Sequence, residues 1–342
     1  MLAAAWLLGC GARTNLDGLA GAGFGGGAAT VSNGVGGDGA SNGSGPCASL
    51  CPAGGCQVVA LGSAGQQGVV SIVTDATYVY WIDGFIADPN VIRRAPKSGG
   101  AAQTLVPAAH GAVQIAVANG FLYWTELGHY LSSTSDGAVR RVGVAGGPVS
   151  TIAEGLYVDE PPLAVDADYV YWIDGGGATV ARAPVTGGAP ETLASGLQSA
   201  FFMTLDSTSV YLSTQGGLWS VPKTGGVLTD VYGTSGDMRD ITRQGDDLYF
   251  AAFEYGIDHV STDGGGFQTI AEGTVSPAIA SDAQAVYYIV LGSSMQSALY
   301  RVCRDGSMPP EQLAAIRGTY AVAVDDSGVY FDNSSSLGKI AK

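Results

Sequence analysis

From residue 69 onward, short and nearly continuous apolar runs alternate with Asp-, Asn- and Gly-rich breaks, and one arrangement of the two recurs along the chain. Its mark is a β-branched run, a polar turn, and a second run carrying Val/Leu-Tyr followed by another aromatic or apolar residue. The copies are IVTDATYVYWIDG from 72, IAVANGFLYWTELG from 115, LAVDADYVYWIDG from 163, MTLDSTSVYLSTQG from 203, ITRQGDDLYFAAF from 241, IASDAQAVYYIVLG from 279 and VAVDDSGVYFDN from 322. Runs of this length, bounded by turn residues and rich in β-branched and aromatic side chains, predict strands buried on both faces. The anchor tyrosines Tyr80, Tyr123, Tyr171, Tyr211, Tyr249, Tyr287 and Tyr330 are spaced by 43, 48, 40, 38, 38 and 43 residues. A β-type period near 40 is the length of one four-stranded blade of a propeller.

Each of the first six copies continues with a second signature: VIRRAPKSGG, VRRVGVAGG, VARAPVTGG, LWSVPKTGG, IDHVSTDGG and LYRVCRDGS. A short apolar piece such as QTL, STIA or ETLA follows. The grammar is four strands: A, a polar turn, B with the anchor tyrosine, a connection to C, then a glycine hairpin into D. The seventh copy ends with a C-like LGKIAK and no strand D, while CQVVALGSAGQQG at 56 to 68 resembles the strand D pieces TIAEG and ETLASG. An N-terminal strand that completes the last blade would close the ring and remove exposed sheet edges. The expected fold is all-β: a seven-bladed β-propeller of four-stranded antiparallel blades, closed by that strand.

The Tyr-Trp-Ile-Asp and Tyr-Trp-Thr-Glu pieces at 80 to 83, 123 to 126 and 171 to 174 resemble the YWTD repeat of receptor propellers. The resemblance spans most of residues 57 to 342 as a repeat, with the motif strong in three copies. It implies the propeller class and no particular ligand; YWTD domains have six blades, and seven repeats depart from that.

Composition narrows the partners. Hydrophobic residues are 46% of the 342, charged ones 13%, and glycine supplies 53 positions, as in a turn-rich, well-buried β protein. A formal net charge of -15 leaves no basic patch to neutralise phosphates, so nucleic acid is not expected as a partner. No apolar run approaches the roughly 20 residues that span a bilayer. Attachment, if any, must come from the N-terminus, where MLAAAWLLGC (residues 1–10) resembles a bacterial lipobox that would make Cys10 the lipidated residue. Residues 11–46, rich in Gly, Ala, Ser and Asn, read as a disordered tether, and Gly11 after the cysteine fits the outer-membrane sorting pattern of Gram-negative lipoproteins. The expectation is an exported, surface-tethered monomer.

Residues 47–56 form a cysteine cluster ahead of the propeller at 57–342. In an exported chain the even set Cys47, Cys51, Cys56 and Cys303 suggests two disulfides among three connectivities. A Cys56–Cys303 bridge would pin the ring closure and leave Cys47 to Cys51. Zinc is the rival reading, disfavoured because no His lies near the cluster and the gaps are not those of zinc knuckles.

Length variation locates a candidate binding face. From the first glycine of each C–D hairpin to the next anchor tyrosine the distances are 24, 25, 24, 24, 23 and 24 residues. From each anchor tyrosine to the following hairpin they are 19, 23, 16, 14, 15 and 19. The variation therefore sits in the B–C connections, which share a rim with the D–A connections, and variable loops on a fixed frame are where binding usually resides. Candidates on that rim are His110, Glu126, His129, Tyr130, Tyr157, Asp159, Glu160, Asp237, Arg239, Asp240, Glu254 and Tyr255, led by the loop at 126 to 138. The competing reading is that these are solvated loop side chains. A carboxylate-rich mouth also suits calcium, assembled from several blades because no segment spells an EF-hand; no cofactor is otherwise expected. The recurring Asp75, Asp166, Asp206, Asp282 and Asp325 fit turn formation better than a catalytic ring. His259 lies in a strand C, and neither a G-x-S-x-G elbow nor a phosphate loop is present. The leading expectation is a protein- or glycan-binding or scaffolding module. The alternative is a propeller enzyme, a lyase or metal-assisted hydrolase, with its site at the channel mouth.

Overall fold

The side-chain period of two along a strand sends alternate residues of each tyrosine run to opposite blade faces. In a computed structural model, which describes residues 47–342 except 53–54, 64–67, 85–88, 128–135, 158–161, 175–177, 234–237, 253–255, 293–295, 318–320 and 334–335, both faces are buried. Trp81 packs against Tyr330 and Ala323 of the preceding blade, whereas its neighbours Tyr80 and Ile82 pack against Ile115 and Trp124 of the following one. Trp124 and Trp172 repeat the arrangement, and all three indoles are fully buried.

The strands form seven four-stranded antiparallel sheets. Blade 1 runs Val69–Thr74, Tyr78–Asp83, Asn90–Pro96 and Gln103–Ala109 from strand A to strand D. Blades 2 to 6 repeat that order from strands A at Ala112–Ala118, Leu163–Val165, Ala200–Leu205, Met238–Gln244 and Val275–Ser281. In blade 7, Val322–Asp325, Gly328–Asp332 and Ser336–Ala341 are joined by the N-terminal strand Val58–Ser63, which pairs antiparallel with Ser336–Ala341. Each strand A touches strand A of the next blade, and that of blade 7 touches that of blade 1, so the ring is closed.

The expected Cys56–Cys303 bridge is corrected. Cys47 is bonded to Cys303, with Cα atoms 5.9 Å apart, and Cys51 to Cys56, with Cα atoms 4.8 Å apart. The reason is the docking of residues 47–51 on the outer strands of blade 6. Glu311 accepts the backbone N–H groups of Leu50 at 3.1 Å and Cys51 at 3.3 Å, and Arg301 donates to the Ala48 carbonyl at 2.8 Å. That seat carries Cys47, not Cys56, onto strand C of blade 6. The cluster and the propeller are continuous in packing, since Cys47, Leu50, Cys51 and Cys56 join the apolar cluster between blades 6 and 7.

The A–B turns are built by one device. The Asp75 carboxylate accepts the N–H groups of Thr77 and Tyr78, both at 2.7 Å, and the hydroxyl of the anchor Tyr80 at 2.6 Å. Asp166, Asp206 and Asp282 do the same with Tyr171, Tyr211 and Tyr287, and Asp325 caps Ser327 and Gly328. The recurring aspartates are therefore turn formers. Blades 2 and 5 depart: Ala118 and Gln244 stand at the Asp75 register, and the turns are made instead with Asn119 and Gly120 (φ 53° and 76°) and with Gly245 (φ 63°), a conformation Asn and Gly tolerate.

Candidate functional site

Cations cross between blades on the tight-turn rim. Lys97 of blade 1 pairs with Asp325 of blade 7 at 2.5 Å, Lys223 of blade 4 with Asp166 of blade 3 at 2.8 Å, and Lys342 of blade 7 with Asp282 of blade 6. Arg304 of blade 6 reaches Asp247 of blade 5 at 2.7 Å. Burial alone would raise the carboxyls of Asp166, Asp282 and Asp325, but the lysines and the backbone N–H groups outweigh it and hold all three below their ordinary range. Most of the polar chemistry on this rim is thus committed to the frame.

A cavity of about 480 Å³ opens on the same rim among blades 7, 1 and 2, lined by Asp75, Lys97, Ala118, Asn119, Val144 and Asp325 with their neighbours. The sequence pattern pointed to the opposite rim and missed it. The available signal was the coincidence in blade 2 of Ala118 in the A–B turn with Val144 after strand C.

The B–C rim holds the residues singled out from sequence. His129, Tyr130, Asp159, Glu160, Asp237, Glu254 and Tyr255 lie outside the described residues, as does Cys10. His110 is exposed in the D–A turn of blade 1, and Tyr157 is exposed after strand D of blade 2, its N–H donating to Asp174 at 3.0 Å. Arg239 lies over the Phe201 ring at 4.6 Å. Glu126 ends strand B of blade 2, where it is buried, accepts the Trp124 indole N–H at 2.8 Å and pairs with Arg140 at 3.1 Å. Asp83 and Arg93 form the same strand B to strand C pair in blade 1, at 2.5 Å. Glu126 therefore braces the root of the 126 to 138 loop, a positioning role. His259 sits in strand C of blade 5, 2.8 Å from Asp247 and against the Tyr249 ring.

On the inner strands near this rim, one register position links neighbouring blades. Ser71 accepts the N–H of Ile115, Gln114 that of Leu163, and Asp240 that of Ile279, at 3.3, 3.0 and 2.9 Å. Each acceptor satisfies a buried backbone donor of the next blade. Asp240 is the ionisable member of this set, completely buried, and burial pushes its carboxyl up to about 8 despite the N–H groups of Ile279 and Ile241. Sequence reasoning placed Asp240 among the rim candidates; the structure gives it an inter-blade bond. Among the described residues, no group of three or more His, Cys, Asp or Glu side chains is arranged to hold a metal ion.

No family model and no curated protein matches the sequence of this chain. Solved structures resemble it in fold. PorZ, described as an essential bacterial surface component of the type-IX secretion system of Porphyromonas gingivalis, superposes with a TM-score of 0.59 at 12% identity, over 83% of this chain and 38% of that one. The computationally designed Ika8 protein gives 0.53 at 12% identity, over 83% of this chain and 99% of its own. A chain of a nidogen/laminin complex gives 0.46 at 16% identity, over 58% of this chain and 82% of that one. The chain is a seven-bladed β-propeller. At these identities the likeness concerns the fold alone, and function has to be argued from the propeller's own sites.

Proposed function

We propose that this propeller is an exported binding or scaffolding module that contacts a protein or glycan through its B–C rim. The carrying observation is the contrast between a half-repeat fixed at 23 to 25 residues and tyrosine-to-hairpin distances that run from 14 to 23. A frame locked by turn aspartates and crossing lysines can carry loops of any length without loss of packing, which is the usual design of a recognition surface. The pair of buried Glu126 with half-buried Arg140 at the root of the longest loop supports this reading, because it fixes the point from which that loop departs. In blade 4 the corresponding strands meet through Gln215 and Gly216 alone. Replacing residues 127–136 by Gln-Gly should therefore leave the thermal midpoint within about 3 °C of the parent. The same variant should lose at least about ten-fold in binding on a glycan array and on intact cells by flow cytometry. Equal binding by parent and shortened chain would sink the reading.

Export is supported by the two disulfides, which persist in oxidising compartments. We propose attachment of a lipid at Cys10, with residues 11–46 as the spacer. In a Gram-negative host expressing the full chain, Cys10→Ser should move the protein from the membrane to the soluble fraction and abolish labelling by radioactive palmitate. Membrane retention of the variant would refute the anchor.

A further inference from the structure

The cavity on the tight-turn rim lies beside a turn aspartate whose carboxylate no lysine reaches among the described residues. In all six interior hairpins the residue after strand C donates its N–H to the A–B turn of its own blade: Lys97 to Thr77, Val144 to Gly120, Val185 to Asp168, Lys223 to Thr208, Thr262 to Asp246 and Arg304 to Gln284. The register makes Lys97, Val144, Val185, Lys223 and Lys342 equivalent, and Val185 of blade 3 faces Ala118 of blade 2, where there is no aspartate to pair. From that position each of the three lysines extends its ammonium to the turn aspartate of the preceding blade. Blade 2 carries Val144, so the aspartate it faces, Asp75 of blade 1, makes no ion pair among the described residues. Lys97 does not substitute: its ammonium is held by the Asp325 carboxylate and the Asp75 backbone carbonyl. Blade 2 also has Ala118 where five of its sisters have the turn aspartate and blade 5 has Gln244, which removes a second side chain from the same place. Asp206 of blade 4 likewise lacks a lysine, but there Thr262 occupies the position and bonds to the Tyr211 hydroxyl. At blade 2 the two small apolar side chains leave the cavity of about 480 Å³ described above.

We propose that this cavity binds a primary alkylammonium group, which takes the place of the missing lysine beside Asp75. The sister blades show that a carboxylate in this turn does hold an ammonium while keeping its N–H and tyrosine bonds, as Asp166 does with Lys223 at 2.8 Å. Val117, Ala118 and Val144 supply an apolar wall for the alkyl stem, as the body of a lysine requires. The site lies on the rim opposite the proposed recognition loops, so it stands or falls separately from them.

The test is calorimetric titration of the purified, oxidised protein with n-butylammonium chloride, with 1-butanol and tetramethylammonium as controls. Butylammonium should bind with a dissociation constant on the order of 1 mM, as befits five heavy atoms, and at least about ten-fold more tightly than either control. Val144→Lys, which supplies the cavity with its own ammonium, should abolish binding while keeping the thermal midpoint of the parent or raising it. Asp75→Asn, which keeps an acceptor for the turn, should weaken binding about ten-fold or more. Titration with N-acetyl-lysinamide separates two sources of the group. Binding as tight as butylammonium indicates a lysine side chain of a partner, and exclusion indicates a free amine; either supports the site. Binding of butylammonium no tighter than of butanol, or undiminished in Val144→Lys, overturns it.

Discussion

Removal of the Cys47–Cys303 bond by the paired change Cys47→Ser and Cys303→Ser is expected to cost more stability than any other small change in the ring. The bond spans 256 residues, and cross-linking a loop of that length removes about 5 kcal/mol of unfolded-state entropy in the chain-entropy treatment, while losses of native disulfides usually fall between about 2 and 5 kcal/mol. Cys51–Cys56 spans 5 residues, and the same treatment gives about 2 kcal/mol. The thermal midpoint should therefore fall by roughly 5 to 15 °C in the first double variant and by clearly less in the second. The mechanism adds to the entropy. Cys47 seats the residues just ahead of Val58–Ser63, and that strand alone supplies the outer edge of blade 7. Without the bond, the closing strand is held by its pairing with Ser336–Ala341 and by the buried Leu61, so opening of blade 7 should precede global loss of structure. Hydrogen exchange would show it as early exposure of Val58–Ser63 and Ser336–Ala341 under native conditions. Equal midpoints for the two double variants, or uniform exchange around the ring, would contradict this account.

The ring itself was legible because its physics is local and repeated. In most copies the tyrosine that marks the repeat is also the residue whose hydroxyl closes the A–B turn, so pattern and mechanism coincide at Tyr80, Tyr171, Tyr211 and Tyr287. The closing strand was legible because the seventh copy lacked a strand D and Val58–Ser63 had the composition of one. The disulfide pairing was not, because four cysteines carry no information on where the segment at 47–51 docks; Glu311 and Arg301, more than 250 residues away, decide that. Nor was the inter-blade role of Asp240, since the blade position it shares with Ser71 and Gln114 is occupied by three different residue types whose common property is an acceptor atom. The cavity beside Asp75 was hidden for the opposite reason: it arises from side chains that are missing, and a search for recurring motifs passes over the copy that lacks them.

Asp240 makes the pH dependence of stability the second large effect. A carboxyl raised to about 8 in the fold, against an ordinary value of 3.8, binds a proton that the unfolded chain releases. Folded protein then holds more protons than unfolded between those values, so stability must fall as pH rises through that window, by up to a figure on the order of 5 kcal/mol. Asp258, also raised by burial and opposed by its bond to Thr269, acts in the same direction. Asp166, Asp206, Asp282 and Asp325 act oppositely: each lies below its ordinary value in the fold, so each contributes stability that is present above about pH 4 and lost as pH falls further. The two limbs meet at about pH 4 to 5, where stability should be greatest. Asp240→Asn separates them. Its amide oxygen keeps the bond to the Ile279 N–H, as the neutral Gln114 does for Leu163, and gives up the bond to Ile241 at a cost of about 1 kcal/mol. Between pH 5 and 8.5 the urea midpoint of the parent should fall steeply and that of Asp240→Asn only slightly, so that the variant is the more stable protein at pH 8.5. Parallel curves for the two proteins would show that the inner strands of blades 5 and 6 accommodate a charged Asp240, and that its burial carries no proton-linked cost.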